Sequence, residues 1–197
     1  MKTIGILLRK DGNKYSFPLN FIKLLCEVRV IPILPDITSV NNVDGVILPG
    51  GIVEEDNTLD LIKYLHKIDK PTLGICLGMQ EMGKALKGII VRNENDNHLN
   101  KMKYSHEINI RRNTKLYSIL KKDKILVNSR HLYKVLVDEK YISATCNEVI
   151  EAIEDKNKRF FVGVQFHIED LLDDINSRKI VNAFVNSLWV IENINKI

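Results

Sequence analysis

A cysteine set between two glycines, Gly74-Ile75-Cys76-Leu77-Gly78, is the pattern with the clearest chemical meaning in this 197-residue chain. Residues 71–75 read as a buried strand and residues 77–86 as a helix, so Cys76 falls where one becomes the other. A nucleophile at such a junction needs a tight turn held in a strained backbone conformation, with small flanking residues that avoid collision. The turn exposes its side chain at the carboxyl end of the sheet, and the helix N-terminus favours a thiolate. Cys26, on a helical apolar stripe, and Cys146, in a strand, lack this setting and read as buried, slow-reacting structural residues.

A cysteine nucleophile needs a base, and the base needs an orienting group. The chain has five His. His66 falls on a surface-like helix, His98 in a polar loop, His106 at the start of a strand and His131 after one. His167 ends an apolar strand, and Glu169 stands two residues later. In extended chain such a pair shares one face, so the carboxylate can hold one imidazole nitrogen while the other meets the thiol. Cys76, His167 and Glu169 then form a triad. Oxyanion donors are expected from the Leu77 N–H, just after the nucleophile, and from Pro49-Gly50-Gly51 at the end of the neighbouring strand. Cys and His lie too far apart in sequence for common zinc spacings, so neither a metal nor a cofactor is expected.

These residues need a scaffold, and the first 90 residues supply an alternation of strands and helices. Strands are predicted at residues 3–8, 28–34, 45–48 and 71–75. Helices are predicted at 16–27, after a cap at Asn57 or Thr58, and at 77–86 with Gly88 as its stop. This rhythm implies an α/β domain with a parallel sheet. After a polar, Asn-rich segment at 92–101 the pattern turns to strands, at 106–110, 125–128, 132–137, 141–146, 149–154 and 160–165. Residues 174–194 carry Ile175, Ile180, Val181, Phe184, Val185, Leu188 and Trp189 on a helical stripe that would cover the sheet. No repeat or linker interrupts the chain, so residues 1–197 read as one domain.

Composition sets the outer limits. The chain is 45% hydrophobic and 27% charged, too apolar for disorder. It has no apolar run of membrane-spanning length and no signal-peptide pattern. Three Cys argue against a disulfide framework, which points to a reducing cytoplasm. The net charge is +4, and eight Lys or Arg stand against two acids between Lys101 and Lys124. That stretch reads first as a solvated sheet edge and second as an attractor for an anionic substrate. Without interleaved aromatics it is no nucleic-acid platform.

Leu48-Pro49-Gly50-Gly51, then Gly74 to Gln80, then Gly163-Val164-Gln165-Phe166-His167 with Glu169, resemble in order and spacing the class I glutamine amidotransferase family. The resemblance covers nearly the whole chain. It implies a flavodoxin-like three-layer α/β sandwich with a central, mostly parallel sheet. It assigns Cys76 as nucleophile, His167 as base and acid, Glu169 as its orienting residue, Gly51 and Leu77 as oxyanion donors, and Gly50 and Gln80 to the substrate site. Val127-Asn128-Ser129-Arg130-His131 and Ile150 to Glu154 are similar to the γ-glutamyl hydrolase (peptidase C26-type) branch, where the first segment grips the α-amino and α-carboxylate groups of the γ-glutamyl moiety. Gly-Ile-Cys-Leu-Gly-Met-Gln matches synthetase amidotransferase subunits at least as well.

Departures from the family fall at Ile168, where a Pro is usual, at Leu132-Tyr133 and in a trimmed loop at residues 52–55. The main expectation is a free-standing cysteine hydrolase that cleaves the γ-glutamyl amide of a conjugate through a thioester and releases glutamate. A phosphate-bearing leaving group such as a γ-glutamyl nucleotide phosphoramidate fits the basic stretch and Arg130. The alternative is the glutaminase subunit of a synthetase, delivering ammonia to a partner protein. A binding module without chemistry is disfavoured by the intact Cys76, His167 and Glu169. The expected partner is a small γ-glutamyl substrate, with neither nucleic acid nor membrane, while a homodimer and a synthetase partner stay open.

Overall fold

Short apolar, β-branched runs assemble into a nine-stranded sheet in the computed structural model, which describes residues 1–52, 57–94, 98–99 and 102–189. The strands are β1 (Thr3–Leu7), β2 (Arg9–Asp11), β3 (Lys14–Ser16), β4 (Arg29–Ile33), β5 (Gly45–Leu48), β6 (Thr72–Ile75), β7 (Ile89–Arg92), β8 (His106–Ile110), β9 (Lys124–Val127), β10 (Tyr133–Leu136), β11 (Ile142–Cys146), β12 (Val149–Glu154) and β13 (Phe161–Val164). The helices are α1 (Asn20–Leu24), α2 (Thr58–Lys67), α3 (Leu77–Ala85), α4 (Lys115–Leu120) and α5 (Ile175–Ser187). The sheet order is β4-β1-β5-β6-β13-β12-β11-β8-β9. Pairings from β4 to β13 are parallel, and those from β13 to β9 antiparallel.

Helices cover both faces, because strand side chains alternate between them. Ile4, Ile6, Ile47, Leu73 and Ile75 pack with Leu116 and Leu120 of α4 and Ile180 and Phe184 of α5. Leu7, Val46 and Leu48 pack on the opposite face with Leu61 and Leu65 of α2 and Met79 and Met82 of α3. This is the expected three-layer α/β architecture, with the candidate site at the carboxyl ends of its parallel strands.

Three local expectations are corrected. The helix expected at 16–27 shrinks to α1, because the preceding chain folds as a β2–β3 hairpin whose turn uses Gly12 at φ 59°. No side chain caps α1, and Cys26, beyond its end, is exposed rather than buried. Cys146 is half-buried. Simple thiol-labelling rank therefore cannot single out Cys76.

The strand expected at 132–137 exists as β10, but it leaves the main sheet and pairs with β7, an unanticipated partner. The expected stop at Gly88 falls earlier: α3 is capped at Leu86 and turns at Lys87, φ 70°, with the Gly88 N–H donating to the Gly83 carbonyl at 2.9 Å as the chain enters that ribbon. At the far end α5 stops at Ser187, so Trp189 does not join the helical stripe and is 58% exposed. Residues 190–194 of that expectation, and residues 53–55 of the trimmed loop, lie outside the described residues. Among the described residues no helix is long and apolar enough to cross a membrane.

Candidate functional site

Cys76 joins β6 to α3 with φ 53° and ψ −108°, a backbone conformation that L residues rarely adopt and that costs on the order of 1–3 kcal/mol. Two contacts hold it there. The Cys76 N–H donates to the Val164 carbonyl of β13 at 2.8 Å, and its own carbonyl accepts from Gln80 N–H at 3.1 Å. Gly78 lets α3 lie directly against β5, since a Cβ there would collide with the Leu48 carbonyl. The Leu77 N–H opens α3, and a first-turn N–H has no acceptor within its own helix.

β13 lies beside β6, so the chain leaving it brings His167 to the elbow. The His167 Nδ1 bonds Glu169 Oε1 at 2.7 Å, and the ring and the Cys76 side chain both border Gly50. The route differs from expectation: β13 ends at Val164, and Ile168–Asp170 form one 3-10 turn rather than extended chain. The turn still places Glu169 under the ring, with Ile168 buried where the family's Pro would stand. Burial opposes a charged imidazole, but hydrogen bonds and charges from Cys76 and Glu169 outweigh it and push His167 up to about 10. Gly50 completes this contact, because a Cβ there would sit 2.9 Å from His167 Cε1 and 3.4 Å from Cys76 Cβ.

The elevated His167 has a thermodynamic consequence. Its folded value of about 10 lies above the ordinary 6.5, so the protonated ring stabilises the fold fully below pH 6.5. That contribution falls away as pH rises toward 10. Thermal melts from pH 6.5 to 10 are expected to show wild-type stability falling more steeply than that of His167→Asn. Parallel slopes would contradict the paired imidazolium.

A cleft of about 830 Å³ opens beside Cys76, lined by Gly51, Leu77, Gln80, Arg130, His131 and the apolar Ile89, Ile90, Leu99, Leu132 and Tyr133. Gly51 and Leu77 thus face the space next to the sulfur. Gln80 is buried, and its Nε2 donates to the Tyr133 carbonyl at 2.8 Å and to Gln165 Oε1 at 3.1 Å. Gln165 Nε2 in turn lies 3.5 Å from Cys76 Sγ.

The expected substrate-gripping segment is largely committed to the protein itself. Asn128 Nδ2 donates to the His167 carbonyl at 2.9 Å, and Asn128 Oδ1 accepts from His167 N–H at 2.8 Å. It therefore clamps the His167 main chain. Ser129, fully buried, donates to the His98 carbonyl at 2.7 Å. Arg130 forms an ion pair with Asp170 rather than offering an unpaired fork. His131 lines the cleft, and burial pushes its ring down toward the neutral form.

The basic stretch proves to be an edge. β9 is the outermost strand, Lys124 pairs with Glu107, and Arg112 pairs with Asp123. No described residue of Lys101 to Lys124 lines the cleft. The electrostatic case for an anionic leaving group therefore loses both of its supports.

One pair went unread in sequence. Arg9, 6% exposed, donates to both oxygens of Glu81, 3% exposed, at 2.9 and 2.5 Å. It also donates to the Pro49 carbonyl at 3.1 and 2.8 Å. The guanidinium thus ties the Pro49-Gly50-Gly51 turn to α3. Its partners lie 40 and 72 residues away, and an isolated Arg carries no local signal of such a role. His98, His106, His131 and Glu151 also converge behind the cleft, although no sequence spacing joins them.

The comparisons with known proteins fit this geometry. The CTP synthase of Nautilia profundicola is 28% identical over 195 residues, 76% of this chain and 36% of that protein. The glutamine-hydrolysing GMP synthase of Francisella tularensis subsp. mediasiatica is 28% identical over 216 residues, 96% of this chain and 38% of its own. The chain thus spans little more than a third of these relatives. The glutaminase domain of Trypanosoma brucei CTPS, solved with bound acivicin, superposes with a TM-score of 0.68 at 18% identity, covering 95% of this chain and 94% of that one. A glutamine amidotransferase of Methylobacillus flagellatus superposes with a TM-score of 0.73 at 12% identity, covering 100% and 98%. The family model of class-I glutamine amidotransferases matches residues 9–187, and the chain belongs to that family.

Proposed function

We propose that the chain hydrolyses the side-chain amide of glutamine and delivers the ammonia to a synthetase partner. The observation that carries this reading is His167, bonded to Glu169 and set with Cys76 around Gly50 beside the strained elbow. The relatives supply its direction: they are CTP and GMP synthases, and this chain aligns with only part of each.

The chemistry follows from the placement. Cys76 Sγ attacks the γ-carbonyl, and the N–H groups of Leu77 and Gly51 receive the oxyanion. Protonated His167 gives its proton to the departing ammonia, and the γ-glutamyl group remains as a thioester on Cys76. His167 then takes a proton from water, which attacks the thioester and releases glutamate. Glu169 keeps the ring oriented throughout, while Asn128 fixes its main chain and Arg9 the oxyanion turn.

Cleavage of a larger γ-glutamyl amine is the second reading. It is favoured by one observation, the apolar extension of the cleft past Cys76 along Ile89, Ile90, Leu99 and Leu132, with room beyond a glutamine side chain. One assay separates them. Glutamine, γ-glutamyl-aminobutyrate and a γ-glutamyl anilide are offered to the purified chain, and glutamate release is measured. Slow turnover of glutamine with still slower cleavage of the conjugates is expected, together with labelling of Cys76 by a glutamine-shaped chloroketone. Much faster release from either conjugate would make the chain a hydrolase of conjugates and overturn the ammonia-delivery reading.

A further inference from the structure

Behind the cleft, four side chains from distant parts of the chain meet around one buried carboxylate oxygen. Glu151 Oε1 lies 3.2 Å from His98 Nδ1, 3.1 Å from His106 Nε2 and 3.9 Å from His131 Nε2. The side chains of His98, His131 and Glu151 are 2%, 2% and 1% exposed, and that of His106 15%. Donor atoms of His98, His131 and Glu151 all fall within 4.8 Å of one another. For metal–ligand bonds of ~2.0–2.1 Å, the edge of a tetrahedron is roughly 3.3 Å, close to the 3.1 and 3.2 Å separations of His106 and His98 from Glu151 Oε1, with His131 farther off at 3.9 Å.

Hydrogen bonding alone leaves this cluster incomplete. His131 Nδ1 meets the Tyr133 carbonyl at 2.9 Å. A carbonyl only accepts, so Nδ1 carries the proton and the neutral ring presents a bare lone pair at Nε2. That atom is buried and has no hydrogen-bond partner in the protein, and neither has Glu151 Oε2. A lone pair aimed at a carboxylate is unfavourable unless something positive lies between them. A backbone carbonyl on the remote ring nitrogen is also the usual support of a metal-bound histidine.

We propose that His98, His106, His131 and Glu151 bind a divalent transition-metal ion of the zinc class, in a structural site separate from Cys76 and His167. Imidazole and carboxylate donors suit such an ion: His98, His131 and Glu151 supply mutually close donor atoms, and His106 stands against the same carboxylate oxygen, from which it would have to swing in to complete the sphere. The site would fasten the segment at His98 and Leu99 to β12. That segment already bridges to Arg130 and accepts the His131 N–H at 3.1 Å, and Leu99 and His131 line the cleft. The expected consequence is a stiffened cleft wall without participation in bond breaking.

The test uses the full chain carrying Cys76→Ser, so that the reactive thiol cannot hold the ion. After chelator treatment, Zn²⁺ is titrated in competition with a chromophoric chelator, and Co²⁺ is added separately for its visible spectrum. One equivalent of Zn²⁺ per chain is expected, with a raised melting temperature. Co²⁺ should give d–d bands without a thiolate charge-transfer band. Glu151→Gln and His106→Asn should each weaken Zn²⁺ at least about 10-fold, whereas His66→Asn, outside the cluster, should not. His106 is the most exposed of the four, so its variant serves if Glu151→Gln does not fold. Absence of stoichiometric Zn²⁺ binding, or affinity unchanged in His106→Asn, would overturn the site. A charge-transfer band would overturn the ligand set by bringing in the nearby Cys146.

Discussion

Cys76→Ala is expected to lose glutamine hydrolysis by on the order of 10⁴-fold or more while melting within a few degrees of the wild type. The loss is large because the γ-glutamyl thioester cannot form, and the oxyanion donors and bound water provide only a residual acceleration. Cys76 is 7% exposed and packs with the apolar core, but the change removes a single sulfur atom at the cleft wall and leaves the backbone hydrogen bonds of the elbow in place, so the fold should persist. Ala would occupy the same φ of 53° that Cys76 adopts, so the turn gains no new strain. Ammonia release, read beside a thermal melt, checks both halves. Retention of even a tenth of wild-type activity would remove Cys76 as the nucleophile.

Glu81→Ala should strike stability. It leaves the Arg9 guanidinium buried with the Pro49 carbonyl as its remaining partner described above, and breaking a buried ion pair from one side costs ~3–5 kcal/mol. At ~2–4 °C per kcal/mol for a domain of this size, the melting temperature should fall by roughly 10 °C. Arg9→Met combined with Glu81→Leu removes both charges and should recover much of that loss. It should not recover activity, because the Pro49-Gly50-Gly51 turn loses its tether. A single-variant cost below ~1 kcal/mol would show that the pair is not what secures the turn to α3.

How far the site was legible depended on distance along the chain. The elbow could be read because its strand, cysteine, glycines and helix are contiguous, and His167 because Glu169 stands two residues away. Most of the strands carry their own apolar signature. Arg9 could not be read, since Glu81 and Pro49 reach it only through the fold. Asn128 was assigned to the substrate, yet its amide completes the His167 main chain, a pairing that needs β9 and the end of β13 to meet. The cluster around Glu151 escaped for the same reason: a spacing rule finds ligands on one loop or helix, whereas these arrive from separate segments. Locally, the apolar periodicity of residues 16–27 suggested a helix longer than α1, and the exposure of Cys26 followed from that shortfall.

The position of β13 carries an implication for synthesis. Among the described residues it is the last strand in sequence, yet it lies at the seam between β6 and β12. Until it emerges from the ribosome, the nascent chain can pair only β4-β1-β5-β6 on one side and β12-β11-β8-β9 on the other. Each half then presents an open inner edge to its surroundings. Gln165 and Cys76 are 89 residues apart and His167 follows Gln165 by two, so the thiol waits through the synthesis of roughly 90 further residues before its imidazole neighbour arrives. Nascent chains arrested before residue 160 should therefore engage chaperones and carry an unarmed cysteine.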